Sequence, residues 1–114
     1  MGARPPFEID EQEEDEHTRL RVAGELDMAT APVLENRLKQ LRAARLQEAR
    51  QDRRWVVLDL SRLEFIDSTG VKVLFQAIHY ARSDGWQVEL RGDLSSQVKQ
   101  VVELTQLDRY WRPR

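Results

Sequence analysis

Apolar residues in this chain follow three rhythms, and each rhythm predicts a different element. Phe7 and Ile9 alternate with Glu8 and Asp10, and Thr18, Leu20 and Val22 alternate with Arg19 and Arg21 up to Gly24. Period-two alternation predicts two strands, each with one buried face, close enough to pair as a hairpin whose exposed turn is the acidic run Glu13–Glu16. Leu34, Leu38 and Leu41 recur at helical spacing and predict a first helix, with Thr30 as its N-cap and Pro32 in its first turn. Arg45 falls on the same stripe, so the pattern fades there and does not decide whether the helix continues through Leu46 and Ala49. The continuous run Trp55-Val56-Val57-Leu58 predicts a third strand, Trp55–Leu60, covered on both faces. Val71, Leu74, Phe75 and Ile78 keep the i, i+3, i+4, i+7 spacing of a second helix whose stripe enters the core. That helix should run from Ser68 to about Arg82, stopped by Ser83-Asp84-Gly85, with Gly85 suited to a left-handed C-cap. Trp86, Val88 and Leu90 alternate into a fourth strand. Asp93–Ser96 opens a last helix with Leu94, Val98, Val101 and Val102 on one face, and Leu107, Tyr110 and Trp111 are expected to pack its end back.

The order is β-β-α-β-α-β-α. Strands that alternate with helices imply right-handed crossovers and parallel neighbours, while the first strand can pair antiparallel. The expected fold class is therefore α/β, a small mixed four-stranded sheet packed with helices. At 114 residues the chain makes one domain with a single core, here assigned to residues 7–114 behind a flexible tail at 1–6.

Composition narrows the chemistry. The absence of cysteine excludes disulfides and thiolate metal sites. No apolar stretch approaches the length of a membrane span and the start lacks a signal-peptide core, so the expected location is the cytoplasm, without membrane insertion. The net charge of −2 conceals an asymmetry: residues 8–16 hold seven acids and no base, while from His17 onward there are 17 bases and 13 acids. Within Arg37–Arg54 seven bases meet two acids. No aromatic is interleaved with these bases before Trp55, and no nucleic-acid-binding motif accompanies them. They read as a solvated helix face and loop, not a nucleic-acid surface.

Catalytic constellations are missing. A serine hydrolase needs a base and its orienter, but the two histidines are His17, beside the acidic run, and His79, three helical turns beyond Ser68. Ile66 stands where a nucleophile elbow requires glycine, and neither phosphate-binding glycine fingerprint occurs. Asp27, Asp59 and Asp67 could meet at the carboxyl edge of the strands around Mg²⁺, but carboxylates there more often cap backbone amides. What remains is the stretch that leads from the third strand into the second helix. Asp67, Ser68 and Thr69 are cap-forming residue types followed by Gly70, at a helix start where unpaired N–H groups and the dipole favour phosphate oxygens. Taken alone, these residues are better explained as a simple cap, with Ser68 or Asp67 closing the helix start.

Three blocks change that balance. Leu58–Gly70, with its Asp-Leu-Ser and Asp-Ser-Thr-Gly, resembles the signature of bacterial anti-sigma-factor antagonists, small STAS-domain proteins. Gly24-Glu25-Leu26-Asp27 with Ala29-Thr30-Ala31-Pro32, and Glu103-Leu104-Thr105-Gln106-Leu107-Asp108, match in the same order, so the resemblance runs from about Phe7 to Trp111. Gln106 departs from it, where the family often has glycine. The resemblance implies that Ser68 is phosphorylated by an anti-sigma factor that is also a serine kinase. It further implies that Asp27, Asp67, Thr69 and Gly70 form the docking surface around Ser68. The unphosphorylated form would bind that partner and free the sigma factor, phosphorylation would end the docking, and a serine phosphatase would restore it. The chain itself would be no enzyme and carry no cofactor or metal. A STAS accessory subunit of a membrane lipid transporter is the alternative, since it shares the fold and a hydroxyl residue at the same helix start.

Overall fold

The computed structural model of the chain describes residues 6–14, 17–47 and 55–110, the side chains of 45–47 excepted. Along it run strand β1 (Glu8–Glu13), strand β2 (His17–Leu26), helix α1 (Ala31–Gln47), strand β3 (Trp55–Ile66), helix α2 (Ser68–Asp84), strand β4 (Val88–Arg91), helix α3 (Ser96–Leu104) and a final 3₁₀ turn (Leu107–Tyr110). The expected order holds. The four strands form one sheet in chain order, with β1 antiparallel to β2 and β2, β3 and β4 parallel.

Alternation along β2 explains the sheet's two faces. Thr18, Leu20, Val22 and Leu26 are fully buried, whereas His17, Arg19, Arg21 and Glu25 are half-exposed. One face therefore carries the core and the other carries a charged row, Asp10–Arg21–Asp59–Arg91, that crosses all four strands in register. In β3 the apolar run is buried throughout, Val56, Val57, Leu58 and Leu60 showing at most 1 % exposure, with Val57 set between Arg19 and Glu89 on the charged face.

Several boundaries differ from the sequence reading, each for a local reason. Glu13 belongs to β1 and not to the turn: its carboxylate accepts from the Thr18 hydroxyl at 2.7 Å, across the hairpin closed by the Glu14 amide donating to the His17 carbonyl. Asp15 and Glu16 lie outside the described residues, as do residues 1–5 of the expected tail, Ala49 and Trp111. β2 continues past Gly24 to Leu26, and β3 past Leu60 to Ile66. Register shifts between Arg21 and Ala23 and between Gly24 and Glu25 let the two keep pairing through a stretch where strict alternation has ended. The first helix continues to Gln47, which settles the question for Leu46. Phe75, expected in the core, sits half-buried at its edge with its ring set edge-on to Tyr110 at 5.9 Å. α2 instead buries Val71, Val73, Leu74, Ala77, Ile78 and Ala81, a wider stripe that serves both the sheet and α1.

The helix ends follow their chemistry. Gly85, at φ +83°, closes α2 by donating its amide to the Arg82 carbonyl, in the left-handed conformation that costs glycine nothing. Gln106 adopts φ +63° after α3, the conformation for which glycine is the usual choice at this place in the resembled family. Leu107 then buries completely beside Val98 and Val102.

Candidate functional site

Parallel pairing of β2 and β3 brings Leu26 opposite Ile66, so the two strands finish side by side and the loops that follow them meet. This is the carboxyl edge of the parallel strands, where open α/β sheets hold their ligands. Asp27 and Asp67 are the first residues beyond the two strand ends. Four of the five expected site residues therefore fall on one turn at the start of α2, and the fifth falls on the adjacent loop.

Asp67 is the N-cap of α2, with an extended backbone (φ −110°, ψ −175°). Its Oδ1 accepts from the Gly70 amide at 3.0 Å, and its Oδ2 accepts from the Met28 amide of the neighbouring loop at 3.2 Å. Its own amide donates to the Leu26 carbonyl at 3.1 Å. One residue thus fastens the helix start to the end of β2 and to the loop beyond it. Gly70 is buried against the same carbonyl. A Cβ there would come within 2.7 Å of the Leu26 oxygen and 2.9 Å of Ile66 Cγ1, so only glycine lets α2 approach this closely.

Asp27 works within its own loop. Its Oδ1 accepts from the amides of Ala29 at 3.0 Å and Thr30 at 3.1 Å, an Asx-type turn. Thr30, expected to cap the first helix, stands at the right position, but its hydroxyl is committed backwards. That hydroxyl donates to the Glu25 carbonyl at 2.6 Å and accepts from the Asp27 amide at 2.9 Å, holding the strand end and not the helix start. Asp59 joins neither loop. Its Oδ1 accepts from the Ser61 amide at 3.0 Å and its Oδ2 lies 3.6 Å from Arg21 Nε, on the charged sheet face. Burial raises its pKa, but the hydrogen bonds from Ser61 and the charges of Arg21 and Arg19 outweigh that and hold it below the ordinary carboxylate value. The three aspartates do not converge, and among the described residues no group of three ligating side chains gathers.

Ser68 is exposed at the first position of α2 and Thr69 is half-exposed beside it. Their amides belong to the first turn, which has no intrahelical acceptors. With the Gly70 amide already taken by Asp67, the free dipole end faces outward at Ser68. Met28 joins these residues without any signal in the sequence. It is 74 % exposed on the loop that Asp67 holds, and with Ala29, Pro32 and Val33, all exposed, it gives the site an apolar flank. Nothing in the period-two or helical patterns marks it, because it belongs to neither element.

Known proteins agree with this architecture. The chain belongs to the STAS domain family: the family model described as "Mlab, STAS domain" matches residues 9–112. Its fold is similar to that of an anti-sigma factor antagonist from Mycobacterium paratuberculosis, with a TM-score of 0.74 and 23 % identity over 99 % of this chain and 89 % of that one. The anti-sigma factor antagonist SpoIIAA in its unphosphorylated form gives a TM-score of 0.71 at 20 % identity, covering 96 % of this chain and 88 % of its own. The Bacillus cell fate determinant SpoIIAA in the phosphorylated form gives 0.66 at 19 % identity, covering 96 % and 91 %. No helix among the described residues is long and apolar enough to cross a membrane.

Proposed function

We propose that this chain is an anti-sigma-factor antagonist that works by partner switching in the bacterial cytoplasm. Unphosphorylated, it docks on an anti-sigma factor that is also a serine kinase and releases the sigma factor. Phosphorylation of Ser68 ends the docking, and a serine phosphatase restores it. The partner supplies ATP and Mg²⁺; this chain is substrate and ligand. The observation that carries the reading is the position of Ser68, exposed at the first residue of α2 directly after a cap whose two carboxylate oxygens are both engaged. Asp27, Asp67 and Thr69, joined by Met28, form the surface around it, and Gly70, expected there too, is buried beneath them, where it lets α2 close on β2.

The electrostatics suit a switch. A phosphate adds about −1.5 to −2 charges. Asp67, held by Gly70 and Met28, is not free to swing away from it. Two unit charges about 4 Å apart repel by roughly 1 kcal/mol in water and roughly 4 kcal/mol at an effective dielectric near 20. The free domain therefore tolerates the phosphate at an exposed helix start, while a contact that excludes water and offers no cation does not. About 1.4 kcal/mol is tenfold in affinity, so a weakening of a hundredfold or more is within reach.

The test is incubation with the cognate kinase and ATP followed by mass spectrometry. The phosphate should be on Ser68 alone, and equally efficient labelling of Ser68→Ala at Thr69 would refute the assignment. The second reading, an accessory subunit of a membrane lipid transporter, uses the same exposed hydroxyl and the apolar flank at Met28. Co-purification with a transporter ATPase in place of a kinase would favour it.

A further inference from the structure

The geometry points to a second site, a cleft between α1 and α2 shaped to take a small aromatic carboxylate. It is independent of any role for Ser68, since its lining on α2 begins at Val73 and runs to Tyr80. Leu38, Val73 and Ala77 form the floor. These three keep 6–8 % exposure while Leu34 and Leu74, on the same two helices, keep none. The core is therefore closed beneath the cleft at Leu34 and Leu74. The space within this open cleft is about 180 Å³. An apolar cavity of about 150 Å³ holds benzene, so a ring with one small substituent fits here.

Two aromatic side chains, Tyr80 and Trp86, line the cleft. Tyr80 lies under the Arg42 guanidinium, 4.8 Å from its ring centroid. The Trp86 indole N–H donates to Asp84 Oδ2 at 3.4 Å. Asp84 also accepts from Arg42 Nε at 2.6 Å and Nη2 at 3.2 Å, so one carboxylate orients the cation and the indole together. Flat rings are favoured against such side chains by offset or edge-to-face contact.

The rim decides the substituent. Arg42 spends two of its three nitrogens on Asp84 and leaves Nη1 without an acceptor among the described residues. Lys39 is largely exposed and touches Glu35 only at 3.4 Å, leaving ammonium hydrogens to spare. The Gln76 amide completes the rim; Glu35 and Asp84 each hold one of its two cations, but Arg42 Nη1, the remaining Lys39 hydrogens and the Gln76 amide leave donors for a further acceptor. A ligand carboxylate can take charge-assisted bonds from these donors, whereas a neutral hydroxyl at the same place gains less.

Titration of the ¹⁵N-labelled full chain with benzoate, read by NMR, tests this. Saturable shifts are expected at Gln76, Tyr80 and the Trp86 indole, with Ser68 and Thr69 unmoved. Benzyl alcohol, which has the ring without the charge, should bind at least about fivefold more weakly. Ala77→Leu fills the floor and should abolish the shifts while the melting curve stays cooperative. Gln76→Trp, a rim change that leaves the core untouched, should do the same if the floor variant does not fold. Absence of saturation with benzoate would overturn the proposal. So would equal binding of benzyl alcohol, or benzoate shifts that survive in a folded filling variant.

Discussion

The two loops at the carboxyl edge of the sheet begin alike and end differently. Each follows a parallel strand, opens on an aspartate and enters a helix. Asp27 Oδ1 accepts from Ala29 and Thr30 within its own loop, while Asp67 divides its two carboxylate oxygens between its own helix, at Gly70, and the other loop, at Met28. The first aspartate shapes a turn; the second joins two turns into one surface. That difference explains why a chemical change at Ser68, the next residue, is placed to be felt across both loops.

The closest contact to test lies at the junction they share. On helix propensity alone Gly70→Ala would gain up to about 1 kcal/mol. The new Cβ would, however, meet the Leu26 carbonyl at 2.7 Å and Leu26 Cγ at 2.8 Å, and overpacking of this kind costs about 1–3 kcal/mol. Sterics should win: a urea melt should show Gly70→Ala destabilised, and a stabilised variant would mean that α2 does not press on β2.

Asp67→Ala should cost about 2 kcal/mol, combining a lost N-cap with a lost bond from Met28. Asp27→Ala should cost about 1 kcal/mol, the net worth of local turn bonds. The contrast is sharper in amide spectra. Asp67→Ala should move the Met28 and Gly70 resonances together, whereas Asp27→Ala should move Ala29 and Thr30 and leave α2 in place. Equal and purely local effects would dissolve the distinction between the loops.

The far end of α2 supplies the smallest effect. Its last residue, Asp84, is held below the usual carboxylate range by the hydrogen bond from Arg42, against a burial that raises it. A carboxylate with a depressed pKa in the fold stabilises above its unfolded value, near 4, and that stabilisation is lost as pH falls through the folded value. Melting temperatures of the wild type should therefore fall more steeply below about pH 4 than those of Asp84→Asn. Coincident acid limbs would show that the Arg42 clamp contributes nothing.

The legible parts of the fold were those with one clean period. Leu20 and Val22 gave a strand, Leu74 and Ile78 a helix, and Gly85 its end. The second half of β3 was hidden because Ser61 and Arg62 break the alternation, and burial there recurs every third residue at Leu60, Leu63 and Ile66, the result of shifted register with β2. Phe75 was overestimated because a hydrophobic stripe does not say where its edges lie. Ala77 and Ala81 were passed over because small side chains carry little pattern, yet α2 buries both. At the site, the residue types around Ser68 were readable. The bond from Met28 to Asp67 spans 39 positions, and no local spacing encodes it.

Ser68 is proposed to switch a contact and not the fold. Calorimetric titration of wild type, Ser68→Ala and Ser68→Asp against the anti-sigma kinase, with a thermal melt of each, tests it most directly. Asp suits a helix start as well as serine does, so all three should melt alike. Ser68→Ala should bind at least as tightly as unphosphorylated wild type. Ser68→Asp should bind at least about tenfold more weakly, since a desolvated and unpaired carboxylate at the contact costs several kcal/mol. If Ser68→Asp bound as tightly as wild type with an unchanged melt, Ser68 would lie outside the interface and act only at the helix start.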